Sequence, residues 1–139
     1  MNRYNGWYHL LSTPPSAINE SLIAEVLAWR QLHPSKPVVV TEYGAEGLPG
    51  MSALASSTQP FTEQYQLRVL QANHAALDWL RQREFVGLAG EMVWNFADFM
   101  TAPDLTRPGG NHKGVMTRLR EPKAAAYLMK GRYELLPDS

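Results

Sequence analysis

The run Val38-Val39-Val40-Thr41-Glu42-Tyr43-Gly44 places a carboxylate just past three consecutive valines. Adjacent β-branched residues read as a buried strand. Taking a charge out of water is costly unless the charge is paired or put to use. Two other stretches, Asn2 to Tyr8 and Trp94-Asn95-Phe96-Ala97-Asp98-Phe99, are also dense in polar and aromatic groups. Together the three hold carboxylate, amide, indole and phenol groups. That mixture suits a carbohydrate, because aromatic faces stack on apolar sugar faces while amides and acids bond hydroxyls. A packed aromatic core can have the same composition, so the sugar reading rests on all three clusters falling at strand ends, where the working groups of parallel α/β folds gather.

Each residue also has a plainer reading. Glu42 taken alone fits a carboxylate bonded by an arginine or by backbone amides at a strand end. Glu91 lies inside a strand and reads as a buried structural pair, whereas Asp98 and Asp104 read as solvated loop acids. Asn111 and Lys113 stand two apart, so in an extended segment their side chains point the same way and could grip one anion. An exposed loop lysine is the simpler alternative. His9, His33, His74 and His112 form no i, i+4 pair and have no acid close in sequence, so no metal site is expected. There is no G-x-S-x-G, G-x-G-x-x-G or Walker A run, which leaves serine-hydrolase, dinucleotide and phosphate chemistry without support.

The elements that must position these groups follow from periodicity. The prolines of Ser12 to Ser16 mark a loop. Leu22, Ile23, Val26, Leu27 and Arg30 then recur at helical spacing up to about Leu32, with Trp29 flanking the apolar face. Val38 to Val40 form a strand of the kind buried in parallel sheets, and residues 45 to 60 form a long loop. Thr62 is positioned to cap a second helix, whose inward stripe is Tyr65, Val69, Ala72, Ala76, Leu77 and Leu80. A second strand is expected over Leu88 to Phe96 and a loop over Ala102 to Asn111. A last helix is expected from about Pro122, packing through Ala125, Tyr127, Leu128 and Met129. Strands alternating with helices in this way imply βα units on a parallel sheet.

The chain has 139 residues and no cysteine, and Lys plus Arg equals Asp plus Glu at 13 each. This length supports one domain with a sizeable core. The balanced charge gives no footprint for nucleic acid or an anionic membrane. The lack of cysteine removes disulfides, thiolate sites and cysteine nucleophiles. No apolar run approaches a membrane span of about 18 residues, and the amino terminus has no signal-peptide pattern.

In order, NRYNGWY at Asn2 to Tyr8, TEYG at Thr41 to Gly44, VWNFADF at Val93 to Phe99, GGNHKG at Gly109 to Gly114 and the closing REPKAAA run resemble glycoside hydrolase family 2. They match the C-terminal part of its catalytic barrel, in the branch that acts on β-glucuronides, and the resemblance covers essentially the whole chain, residues 1–139. It implies an α/β fold, a partial (β/α)8 TIM barrel comprising about the last three βα units. It also implies hydrolysis with retention of anomeric configuration, with no cofactor. By the resemblance, Glu42 is the nucleophile. Asn2, Tyr4, Tyr8 and Trp94 line the sugar site, Asn111 and Lys113 bind the glucuronate carboxylate, and Arg107 lies near it. The partner implied is a β-glucuronide or a related glycoside. The full-length enzyme would be a homo-oligomer in the cytoplasm.

The family's acid/base glutamate belongs to an Asn-Glu-Pro motif, and this sequence has no such tripeptide; Glu121 precedes Pro122 but follows Arg120. A whole barrel takes about 250 residues. The sequence therefore leads us to expect a truncated start at Met1, and an isolated chain that is inactive and poorly stable, with open sheet edges. Two alternatives remain open: a β-galactosidase or other family 2 glycosidase, and a non-catalytic barrel remnant completed by a partner chain.

Overall fold

A computed structural model of the chain describes residues 1–8, 14–54 and 59–136. Helix α1 spans Pro15–Leu32, β1 Val38–Val40, α2 Glu63–Arg81, β2 Leu88–Glu91 and α3 Ala124–Leu135, with a short 3-10 turn at Glu84–Val86 before β2. Pro15 opens α1, where its missing N–H and fixed φ do no harm. Thr62 caps α2 as the sequence predicts, its hydroxyl accepting from Tyr65 N at 3.1 Å. The loop expected over Ser12 to Ser16 is overtaken by α1 from Pro15 onward, its first two residues lying outside the described residues, as do residues 55–58 of the 45–60 loop.

Strands β1 and β2 pair in parallel, Val39 opposite Gly90 and Val40 opposite Glu91, with a register shift between Val38 and Val39. The other edge of β1 is taken by the start of the chain. Met1 donates its terminal amine to Val39 O, Thr41 N donates to Met1 O and Arg3 N to Glu42 O. Residues 1–3, β1 and β2 thus form three neighbouring rows, and a helix follows each row. The helices pack in sequence order, α1 on α2 and α2 on α3. This is the succession of βα units that the alternation of elements predicts.

The main core joins Leu22 and Val26 of α1, Val40 and Tyr43, Leu70, Leu77 and Leu80 of α2, and Ala125 and Met129 of α3. A second cluster, Trp7, Ile18, Ala45, Tyr65, Val69 and Ala72, lies beneath the strand ends.

Two expected boundaries are corrected. The second strand stops at Glu91 rather than Phe96, because the chain changes partners. Met92 N still donates to Val40 O and Trp94 N to Tyr43 O, but Asn95 N donates to Lys113 O and Met116 N to Phe96 O. The last helix starts at Ala124, two residues past Pro122, so Pro122 is not its first helical residue. Lys123 is held extended, its N–H given to Val115 O, and Ala124 N is capped from afar by Glu63 Oε2 at 2.8 Å. Tyr127, expected to pack, is 68% exposed, while Met129 is buried.

Glu91 has the structural role expected of it. It accepts from Arg132 Nε at 2.5 Å and from Arg81 Nη2 at 2.9 Å, and Tyr43 donates to it at 3.2 Å. Burial pushes its pKa up, but the hydrogen bonds and charges of the two arginines outweigh this and hold it below the usual range.

His74 sits beside this cluster, packed edge-on against Tyr43, with Nε2 buried and unbonded among the described residues. Burial, aided by the Arg132 charge, lowers its pKa from 6.5 to about 4. The unfolded chain therefore takes up a proton below pH 6.5 that the folded chain refuses until about pH 4. Stability from this group is complete above pH 6.5 and falls as the pH drops toward 4, by on the order of 3 kcal/mol. A thermal unfolding series from pH 7 to pH 4.5 is expected to show this decline. His74→Phe is expected to flatten it over that window, because Glu91 contributes a further loss only below its unfolded pKa of 4.5.

Candidate functional site

Glu42 follows β1 directly, at the strand's carboxyl end, with its side chain half-buried. Tyr4 donates its hydroxyl to Glu42 Oε2 at 2.5 Å, which fixes one carboxylate oxygen. Burial, then the hydrogen bond to Glu42 and its charge, raise the Tyr4 pKa far above the ordinary phenol value. Tyr4 is therefore a permanent donor. Asn2 lies one step away, its Oδ1 accepting from the Thr41 hydroxyl at 2.5 Å. Trp94 reaches the same strand end through its N–H to Tyr43 O, and its ring meets Phe99 edge-on at 6.3 Å. Its carbonyl crowds Gly44, where a Cβ would come within 2.5 Å of Trp94 O.

From Tyr4 the site continues through aromatic rings to cations. Tyr8 meets Tyr4 edge-on at 5.3 Å, and the Tyr8 hydroxyl accepts from Arg107 Nη2 at 3.2 Å. The Lys113 ammonium stands 4.7 Å from the Tyr8 ring centre, 5.3 Å from that of Trp7 and 5.6 Å from that of Tyr4. Attraction between a cation and ring faces is strongest where water is excluded. Lys113 is not the exposed loop lysine of the simpler reading. It pairs with Glu46 at 2.7 Å, and neither side chain has any solvent exposure. Asn111 is also buried, its Oδ1 accepting from Lys113 N at 3.0 Å. The structure thus brings Glu42, Tyr4, Tyr8, Arg107 and Lys113 into one connected path. Asn2 and Trp94 lie at its strand end and Asn111 braces Lys113.

A second set of charges holds this loop in place. Asp98, expected as a surface acid, is only 3% exposed. Its Oδ1 pairs with Lys123 Nζ at 3.0 Å and its Oδ2 with His112 Nδ1 at 3.1 Å. Lys123 Nζ also donates to Gly47 O at 2.8 Å and to His112 O at 2.9 Å. Burial lowers the pKa of Lys123 against the opposing pull of Asp98. Gln66 donates to Gly114 O at 3.1 Å. Gly114 lies so close to the 97–98 backbone that a Cβ there would fall 2.2 Å from Asp98 N. Asp104, by contrast, stays on the exposed loop as expected, and its hydrogen bonds to Thr106 hold its carboxyl below the usual range.

Sequence reasoning missed Glu46, Gln66 and Lys123. An acid four residues past Glu42, amid alanine and glycine, was the one available signal for Glu46. Gln66 and Lys123 carried none, since their partners lie far along the chain. Among the described residues there is no cluster of three or more metal-ligating side chains and no helix long and apolar enough to cross a membrane. A cavity of about 430 Å³ lined by Met1, Trp29, His33 and Val38 lies at the opposite end of β1 from Glu42.

Lys123→Met leaves Asp98 buried without its main cation, and breaking a buried pair in this way costs about 3–5 kcal/mol. The thermal midpoint is expected to fall accordingly. Asp98→Asn in the same chain should recover much of the loss, and no recovery would mean that the pair is not what holds the loop.

The sequence model described as "Glycosyl hydrolases family 2, TIM barrel domain" matches residues 1–137. The chain is similar to the beta-glucuronidase of Homo sapiens, at 40% identity over 133 residues, covering 96% of this chain and 19% of that protein. It is similar to that of Streptococcus agalactiae at 37% over 137 residues, covering 99% and 22%. Among solved structures, a beta-D-glucuronidase from Dictyoglomus thermophilum superposes with a TM-score of 0.85 at 39% identity, covering 99% of this chain and 22% of that one. The chain thus spans about a fifth of the length of the relatives it matches.

Proposed function

The chain belongs to glycoside hydrolase family 2, as part of its TIM barrel domain, and we propose that the protein hydrolyses β-D-glucuronides with retention, Glu42 acting as nucleophile. The observation that carries this reading is the path from Glu42 through Tyr4 and Tyr8 to Arg107 and Lys113. It sets a carboxylate at one end and two cations at the other, linked by aromatic rings. A glucuronide presents the complementary order, with an electrophilic anomeric carbon at one side of the sugar and a carboxylate at the other.

In the first step one oxygen of Glu42 attacks the anomeric carbon while Tyr4 holds the other. The bond to the aglycone oxygen breaks as that oxygen takes a proton from a second carboxyl group, and water then cleaves the glycosyl ester. In retaining enzymes the two carboxyl groups stand about 5–5.5 Å apart. Within this segment Glu46, Asp98 and Glu91 are each held by lysine or arginine. The family resemblance places the acid/base in an Asn-Glu-Pro motif, which this sequence lacks. Arg107 and Lys113 receive the substrate carboxylate, with Asn111 bracing Lys113. The Tyr8 ring is the nearest cover over the ammonium, and a ligand reaches Lys113 by displacing it. Asn2 and Trp94 bound the sugar near Glu42.

In the whole protein, Glu42→Gln is expected to lower kcat on p-nitrophenyl β-D-glucuronide by at least 1,000-fold, about 4 kcal/mol in the activation free energy. A polypeptide of these 139 residues alone is expected to show no turnover. Turnover by that polypeptide, lost in Glu42→Gln, would show that a second carboxyl group within the segment suffices.

The carboxylate clamp is tested with Lys113→Met combined with Glu46→Gln, so that no buried charge is left alone. The combined variant is expected to lose at least a hundredfold in kcat/KM on the glucuronide, and far less on the matching galactoside. Equal loss on both would favour a family 2 enzyme for neutral sugars.

A further inference from the structure

We propose that Glu46 is the specificity-positioning residue of the site: it holds the 111–113 loop so that Lys113 is aimed at the substrate carboxylate. The inference rests on the reading of Lys113 as the carboxylate-binding cation, and goes beyond it.

Glu46 uses both oxygens on the same short run. Oε1 takes the Lys113 ammonium at 2.7 Å and Oε2 takes the backbone N–H of His112 at 2.5 Å. It therefore fixes the side chain that would bind substrate and the backbone immediately before it. On the far side of His112, the carbonyl accepts from Lys123, so this peptide is held from both directions. Glu46 itself sits four residues beyond Glu42 on the same segment and is completely buried. The position of the clamp is thereby referred to the strand that carries the nucleophile. A bound sugar must satisfy both ends at once, and small misplacements of either are costly in rate.

An ammonium has three N–H donors, and among the described residues Lys113 gives one of them to Glu46. The ammonium also faces the rings of Tyr4, Trp7 and Tyr8, and its other two N–H groups reach a ligand once Tyr8 is displaced.

The test measures kcat and KM for p-nitrophenyl β-D-glucuronide and p-nitrophenyl β-D-glucoside on the whole protein and four variants. These are Glu46→Gln, Glu46→Asp, Lys113→Met and the Glu46→Gln/Lys113→Met double variant. Glu46→Gln is expected to raise KM for the glucuronide at least tenfold with a smaller change in kcat, and to lower the glucuronide-to-glucoside ratio of kcat/KM at least tenfold. Glu46→Asp, which keeps the charge, should recover part of that ratio. In the Lys113→Met background, adding Glu46→Gln should change the ratio less than threefold, since a residue acting through Lys113 has nothing left to act on. Glu46→Asp keeps both charges of the buried pair, so it reads the positioning role even where Glu46→Gln or Lys113→Met, each of which leaves one buried charge alone, does not fold. A multiplicative further loss in the double variant, or equal loss on both substrates from Glu46→Gln, would overturn the proposal. If Lys113→Met also affects both substrates equally, the clamp reading itself fails. If Lys113→Met is selective and Glu46→Gln is not, only the positioning role fails.

Discussion

A lysine and a glutamate with no exposure to solvent, Lys113 and Glu46, face each other at 2.7 Å. Neither charge could be tolerated there alone, since an unpaired buried ion costs several kcal/mol. Their pairing obliges the chain just beyond β1 and the loop after Gly110 to meet, although they are separated by 67 residues. Everything at the strand ends is arranged around that meeting. The rings of Trp7, Tyr4 and Tyr8 close over the ammonium. Tyr4 in turn reaches Glu42, so the buried pair and the strand-end carboxylate share one wall.

Two other charged centres do similar work lower in the fold. Asp98 with Lys123 and His112 fixes the loop against the start of α3. Glu91 with Arg81 and Arg132 fastens β2 to α2 and α3. Each centre joins segments that the apolar core brings near but does not register, because hydrophobic contact is non-directional while charged hydrogen bonds are both short and directional. The core formed by α1, α2, α3 and β1 sets which faces meet. The charged centres set which residues meet.

That division bears on function. Strand-end surfaces of parallel sheets gather side chains from several segments, and here three rows supply them: residues 1–8, the run after β1 and the run after β2. The early end of β2 belongs to the same logic. Once the run after β2 parts from the β1 row at Trp94, it pairs with the 113–116 segment instead, and this carries the lysine-bearing loop back over the tyrosines. A longer regular strand, as the apolar run to Phe96 suggested, would have left that loop without a partner.

The sequence alone determined the helices, the two strands to within a few residues, the Thr62 cap, the place of Glu42 and the family. These depend on side-chain period, β-branching, capping chemistry and ordered motifs, all of which act over short stretches. Glu91 was legible as a structural acid for the same reason, lying within a strand. The partners of the charges were decided only by tertiary structure. Asp98 looked like a surface acid because Lys123 is 25 residues away. Lys113 looked like either an exposed lysine or an anion clamp because Glu46 is farther still. Pro122 looked like a helix start because the backbone bond from Lys123 to Val115, which delays the helix, leaves no local mark. Local propensity cannot encode a contact whose two halves meet only after the chain has folded, and the loop around Lys113 is built from such contacts.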